Sequence, residues 1–140
     1  MAITARSKEN FQVEIDAGNH VLMADEPISV GGDDTGPNPY DLLLSSLAAC
    51  KIITVQMYAR RKGWDLNGVE INMSTKKIHA RDCEDCETDP NARVDIIETE
   101  IKFLGELDEN MISRLKNISE KCPVHRTLVS ETKIRTKVLN

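Results

Sequence analysis

The sequence predicts an α+β fold. One long apolar helix is flanked on both sides by alternating strand patterns, a second amphipathic helix follows late in the chain, and no regular βαβ alternation is present. With 140 residues and no internal repeat or linker, residues 1–140 are expected to form a single domain around one core.

The N-terminal segment "FQVEIDAGNHVLMADEP" reads as two strands joined at "DAGN", with Val13 and Ile15 alternating against polar neighbours. "SVGGDDTGPNP" is a loop by its glycine, proline and aspartate content. Gly31 and Gly32 do not form a phosphate loop, because no lysine-serine/threonine pair follows at the required spacing.

The helix that follows has clear ends. Asn38 can cap it, Pro39 suits the first helical position, and Asp41 puts a negative charge in the first turn. Arg60, Arg61 and Lys62 complement the C-terminal end of the dipole, and Gly63 stops it. Between these ends only Ser45, Ser46, Lys51, Thr54 and Gln56 interrupt the apolar run. A helix apolar nearly all round must be covered nearly all round. One small sheet cannot do that, so a second copy of the chain is expected to supply the rest. The polar interruptions argue against a membrane span.

"VEINMSTKKIHA" and "RVDIIETEIKFLGEL" read as two strands connected by the polar stretch "RDCEDCETDPNA", and a change of apolar parity between Ile96 and Ile97 predicts a bulge there. A second helix from about Asp108 places Met111, Ile112, Leu115, Ile118 and Cys122 on one face, Pro123 breaks or restarts it, and "ETKIRTKVL" is expected as a closing strand.

Composition narrows the function. Aromatic residues are 4% and the formal charge is −5, which leaves little for base stacking or phosphate binding, so no nucleic-acid partner is expected. The N-terminus lacks a signal-peptide pattern, and four cysteines are too few for a disulfide scaffold. A cytoplasmic protein without a membrane partner is expected.

The cysteines are the chemistry to weigh. Cys50, between Ala49 and Lys51, is either a small packing residue or a nucleophile whose apolar surroundings form a substrate pocket. Lys51 reads as a polar break in the helix surface, since neighbours on a helix point about 100° apart. Cys122, in "EKCPVHRTL", is either an apolar contact of the second helix or a thiol at the start of a new helix, where His125 and Arg126 could add positive charge. Cys83 and Cys86 have the spacing of a metal clip or redox pair, with His79 as a third local ligand. Zinc needs a fourth ligand, and the carboxylates of Asp82, Glu84, Asp85, Glu87 and Asp89 disfavour thiolates; the alternative is a solvated hairpin tip. His20 and the Ser45–Ser46 pair belong to no recognisable triad.

Two segments together, "GPNPYDLLLSSLAAC" ending at Cys50 and "ISEKCPVHRTL" carrying Cys122, resemble the cysteine motifs of the OsmC/Ohr family of osmotically inducible and organic-hydroperoxide-resistance proteins. The resemblance covers nearly the whole chain. It implies an OsmC-like fold: small antiparallel sheets, a long central buried helix and a second helix, in an intertwined homodimer. It also implies a peroxidase of hydroperoxides without a cofactor, in which Cys50 becomes a sulfenic acid, Cys122 resolves it to a disulfide, and an external dithiol regenerates both. Family peroxidases carry a glutamate directly after the Asn-Pro pair, where this chain has Tyr40 and then Asp41. They also use an N-terminal arginine, for which Arg6 is the one candidate upstream of the long helix. Arg6 and Asp41 are therefore the family-based candidates for activating the thiol. The departure at Tyr40 keeps a second reading open: a non-catalytic OsmC-like protein binding an apolar ligand or a metal.

Overall fold

The computed structural model describes residues 2–140. By packing, these form two compact units, one ending at Ser46 and the other running from Leu47 to Asn140.

The first unit is built on a three-stranded antiparallel sheet of β1 (Ile3–Ser7), β2 (Val13–Ala17) and β3 (His20–Ala24), with β2 in the centre. Sequence reading finds β2 and β3 around the turn at Gly18. It misses β1, a short strand whose residues are all exposed and which pairs with β2 along its whole length. After β3 the chain turns through a loop organised by the buried Asp25. Its carboxylate accepts hydrogen bonds from the backbone of Glu26 (2.7 Å) and from both the backbone and hydroxyl of Thr35 (3.1 and 2.7 Å). These donors hold the Asp25 carboxyl below its ordinary pKa, chiefly through the Thr35 hydroxyl.

The long helix α1 (Pro39–Lys62) begins in this unit as the sequence predicts. Asp41 N–H donates to Asn38 Oδ1 at 2.9 Å and Asn38 N–H donates to Asp41 Oδ2 at 3.2 Å, a reciprocal cap of orphan backbone groups. The helix closes at Gly63 (φ 67°), where the amide of Trp64 bonds the Ala59 carbonyl at 2.9 Å. By length and composition α1 passes as a membrane span, with a mean hydropathy of 1.5, so its polar interruptions do not exclude that reading by themselves. One stripe of it packs into a core: Val55, Tyr58 and Ala59 meet Leu115 and Ile118 of α2 (Glu109–Ser119), closed over by Trp64, Leu66, Val69, Phe103 and Leu107.

β4 (Asp65–His79) and β5 (Arg93–Glu106) form a long antiparallel hairpin. The expected bulge between Ile96 and Ile97 is absent: Lys76↔Ile96 and Thr75↔Ile97 pair in unbroken register. Both isoleucines are half-buried. The irregularity lies between Leu66 and Gly68, opposite Gly105 (φ 140°), where a Cβ would meet the Asp65 carbonyl oxygen at 1.9 Å.

α2 is capped by Asp108, whose carboxylate accepts from Met111 N–H at 2.8 Å. It ends at Ser119, so Cys122 does not continue its apolar face, and Ile112 is exposed. Pro123 restarts the chain as α3 (Pro123–Val129), the second of the two outcomes allowed for it. The predicted closing strand does not form. Residues 131–140 have no regular structure, and Ile134, Val138 and Leu139 are exposed.

Candidate redox site

α1 and α3 bring Cys50 and Cys122 together inside the second unit. Both are free thiols, Cys50 half-buried and Cys122 fully enclosed, and they are close enough for Cys50 to act on the ionisation of Cys122. Cys122 is the N-cap of α3, accepting at Sγ from the His125 amide at 3.3 Å. Burial pushes the Cys122 thiol above its ordinary pKa, and its hydrogen bond with Cys50 adds to that; the His125 amide and the charge of Lys51 pull the other way. At neutral pH Cys122 is therefore a protonated, enclosed thiol.

Lys51 is the residue that sequence reading misplaces. It is not a break in the exposed surface. It is 5% exposed, and its Nζ donates to the Ser119 carbonyl at 3.1 Å and to His125 Nδ1 at 2.9 Å. An ammonium has only protons to give, so Nδ1 accepts and the ring proton sits on Nε2. The His125 pKa is pushed below 6.5, first by burial and then by Lys51, with Glu120 opposing. The positive charge near Cys122 thus comes from Lys51, while His125 is neutral and Arg126 is exposed. The signal was in the sequence: Lys51 is in phase with Leu47, Val55 and Tyr58, the most buried stripe of α1.

A cleft of about 490 Å³ opens over Lys51 and His125. Ile96, Ile97, Ile101, Leu128 and Val129 supply an apolar wall, and Asp85, Asp95 and Glu120 a polar rim.

The other predicted residues have partners of their own. Arg6 lies exposed on β1 and pairs with Asp16 at 2.6 Å across the sheet, and Asp41 is engaged in the α1 cap. His20 is exposed on β3. Cys83 and Cys86 are bridged to each other, with Cα atoms 5.5 Å apart. Together with an Asp85 carboxylate oxygen their sulfurs form a cluster within 4.8 Å, but the bridge occupies the thiolates a zinc ion would need. His79 stands outside that cluster, its Nδ1 buried without a hydrogen-bond partner.

Comparison with known proteins agrees with this architecture. The family model described as OsmC-like protein matches residues 31–137, a stretch holding both Cys50 and Cys122. Among solved structures, the OsmC-like protein of Mycoplasma pneumoniae superposes with a TM-score of 0.70 at 22% identity, over 91% of this chain and 85% of that one. An organic hydroperoxide resistance protein OsmC of Legionella pneumophila gives 0.64 at 20% identity (91% and 88%), and OhrB of Bacillus subtilis 0.61 at 19% (91% and 89%). No curated protein matches the sequence significantly. The match over most of the chain shows that this protein belongs to the OsmC-like family.

Proposed function

We propose that the protein is a thiol-dependent peroxidase of organic or small hydroperoxides, with Cys50 and Cys122 as its redox pair. The observation that carries this reading is a half-buried, free Cys50 acting on the ionisation of an enclosed, free Cys122, with the neighbouring Lys51 and His125 lining a partly apolar cleft. Cys50 keeps some exposure, while Cys122 has none.

The Cys50 thiolate attacks the terminal peroxide oxygen, the O–O bond breaks, and the alcohol leaves with a proton. Cys50 is then a sulfenic acid. Cys122 attacks that sulfur, its proton departs with the hydroxyl as water, and a disulfide forms. Lys51 and the His125 amide favour the anionic form of Cys122 that this step requires. An external dithiol returns two electrons and two protons. The apolar wall suits the alkyl part of an organic peroxide. Arg6 and Asp41, the family-based candidates for activating the thiol, are each engaged with a partner of their own.

A homodimer is part of the proposal. Ile53 and Met57 on one side of α1, and Ile134, Val138 and Leu139 near the C-terminus, are exposed apolar surface of the kind a second copy would cover. The cytoplasm, where dithiol reductants are abundant, is the proposed compartment.

Peroxide consumption with a dithiol, wild type against Cys50→Ser, tests the activity. Turnover is expected in the wild type and lost in the variant; equal rates would remove the proposal.

A further inference from the structure

The hairpin tip carries a second pair of cysteines that the proposed peroxidase reaction does not use. We infer that the reduced tip is a zinc site, with the thiolates of Cys83 and Cys86 and the carboxylate of Asp85 as its protein ligands. The Cys83–Cys86 bridge, while closed, withholds those thiolates. The inference stands on the tip alone and holds whether or not Cys50 and Cys122 turn over peroxide.

The three donors already converge. Cys83 Sγ, Cys86 Sγ and an Asp85 carboxylate oxygen lie within 4.8 Å of one another, and Asp85 Oδ1 stands 3.2 Å from Cys83 Sγ. Tetrahedral zinc, with bonds of about 2.3 Å to sulfur, sets two thiolates roughly 3.8 Å apart. Opening the bridge lets the two sulfurs part to that separation inside the space the cluster already spans. The segment that presents them is braced from within. The Ala80 amide donates to the Ala92 carbonyl at 2.8 Å, that of Arg81 to Pro90 at 3.2 Å, and that of Cys83 to Ala80 at 3.1 Å. A braced turn loses little freedom when it takes up an ion. Both cysteines are half-buried and Asp85 is exposed, so an ion enters from solvent and water fills the fourth coordination place.

Charge and donor type select the ion. Two thiolates and a carboxylate crowd negative charge at one point, and Asp82, Glu84, Glu87 and Asp89 flank them in sequence. Without a cation that crowding disfavours thiolates; a divalent ion reverses the balance, and a coordinated thiol gives up its proton outright. Calcium and magnesium call for a shell of oxygen ligands, whereas two thiolates with a carboxylate suit zinc.

The chemistry balances. A dithiol reductant gives two electrons and two protons to the Cys83–Cys86 bond and is itself left as a disulfide. Zinc then sheds waters of hydration and binds both sulfurs and the Asp85 oxygen, and the proton of each thiol passes to solvent. The site is open where dithiols keep the tip reduced and closed wherever the bridge forms.

The test reduces the full chain with dithiothreitol, removes the reductant without air, equilibrates with zinc chloride and counts bound metal by elemental analysis and chelator competition. Stoichiometric zinc is expected on the reduced chain and none on the bridged one. Cys50→Ser/Cys122→Ser protein, whose thiols are those of the tip, is expected to keep its zinc, while Cys83→Ser/Cys86→Ser loses it. Asp85→Asn is expected to weaken binding roughly tenfold or more. In the unsubstituted protein, zinc is expected to slow alkylation of Cys83 and Cys86 by iodoacetamide, a readout that needs no variant to fold. A reduced chain that takes up no zinc, or alkylation of the tip that zinc does not slow, overturns the inference. So does zinc that stays when both tip cysteines are replaced, or that binds Asp85→Asn equally well.

Discussion

Lys51 Nζ lies 2.9 Å from His125 Nδ1, joining the middle of α1 to the first turn of α3 directly beside Cys122. This contact ties the electrostatics around Cys122 to a single buried ammonium. Replacing Lys51 by methionine keeps the stem and removes the charge. The His125 pKa is then expected to rise toward its ordinary value, read by NMR titration, since Lys51 is one of the two causes holding it down. Resolution of the sulfenic acid is expected to slow roughly tenfold, the equivalent of about 1.4 kcal/mol in the barrier.

His125 makes stability depend on pH with a definite sign. Its pKa in the folded protein lies below 6.5, so as pH falls through that value the unfolded chain binds a proton the folded one does not. Stability therefore drops on the acid side of 6.5 until pH reaches the depressed folded value. Denaturant midpoints between pH 7.5 and 5 are expected to fall more steeply for the wild type than for His125→Gln, because only the wild type carries this proton linkage.

The two site thiols are expected to differ in reactivity. Iodoacetamide added to reduced protein at neutral pH should modify Cys50 well before Cys122, because Cys122 is wholly enclosed and its thiol pKa is raised. Peptide mapping at short times checks the order. Above pH 9, where an exposed thiol ionises but enclosed Cys122 still holds its proton, this group works against the folded state.

Leu115 is wholly enclosed among Val55, Tyr58, Ala59 and Ile118, where α1 and α2 meet. Leu115→Ala is expected to cost about 2–5 kcal/mol of stability by leaving a cavity. Chemical denaturation measures it. The substitution should also loosen the approach of α1 to the segment that carries Cys122, so turnover is expected to fall with stability.

Features written in local chemistry were legible before the structure. The Asn38 cap, the Gly63 stop, the helix start near Asp108 and the interruption at Pro123 each depend on a few neighbouring residues, and each is where the sequence places it. Features that depend on what the rest of the chain offers were not. β1 is a strand through its pairing with β2, while residues 131–139, whose alternation also looks strand-like, pair with no strand. The site divides the same way. Cys50 and Cys122 were singled out through the family resemblance, since no local spacing announces that α1 meets α3. Lys51 was misread because its neighbours in sequence were weighed and its neighbours on the helix face, Leu47 and Val55, were not.

The central claim is that Cys50 takes the oxygen and Cys122 resolves it. The most direct measurement treats Cys122→Ser protein with tert-butyl hydroperoxide in the presence of a dimedone-type probe and maps the adduct. A labelled sulfenic acid at Cys50 is predicted, replaced in the wild type by a Cys50–Cys122 disulfide. An unlabelled Cys50 in the variant, together with two unmodified thiols in the wild type, would contradict the account.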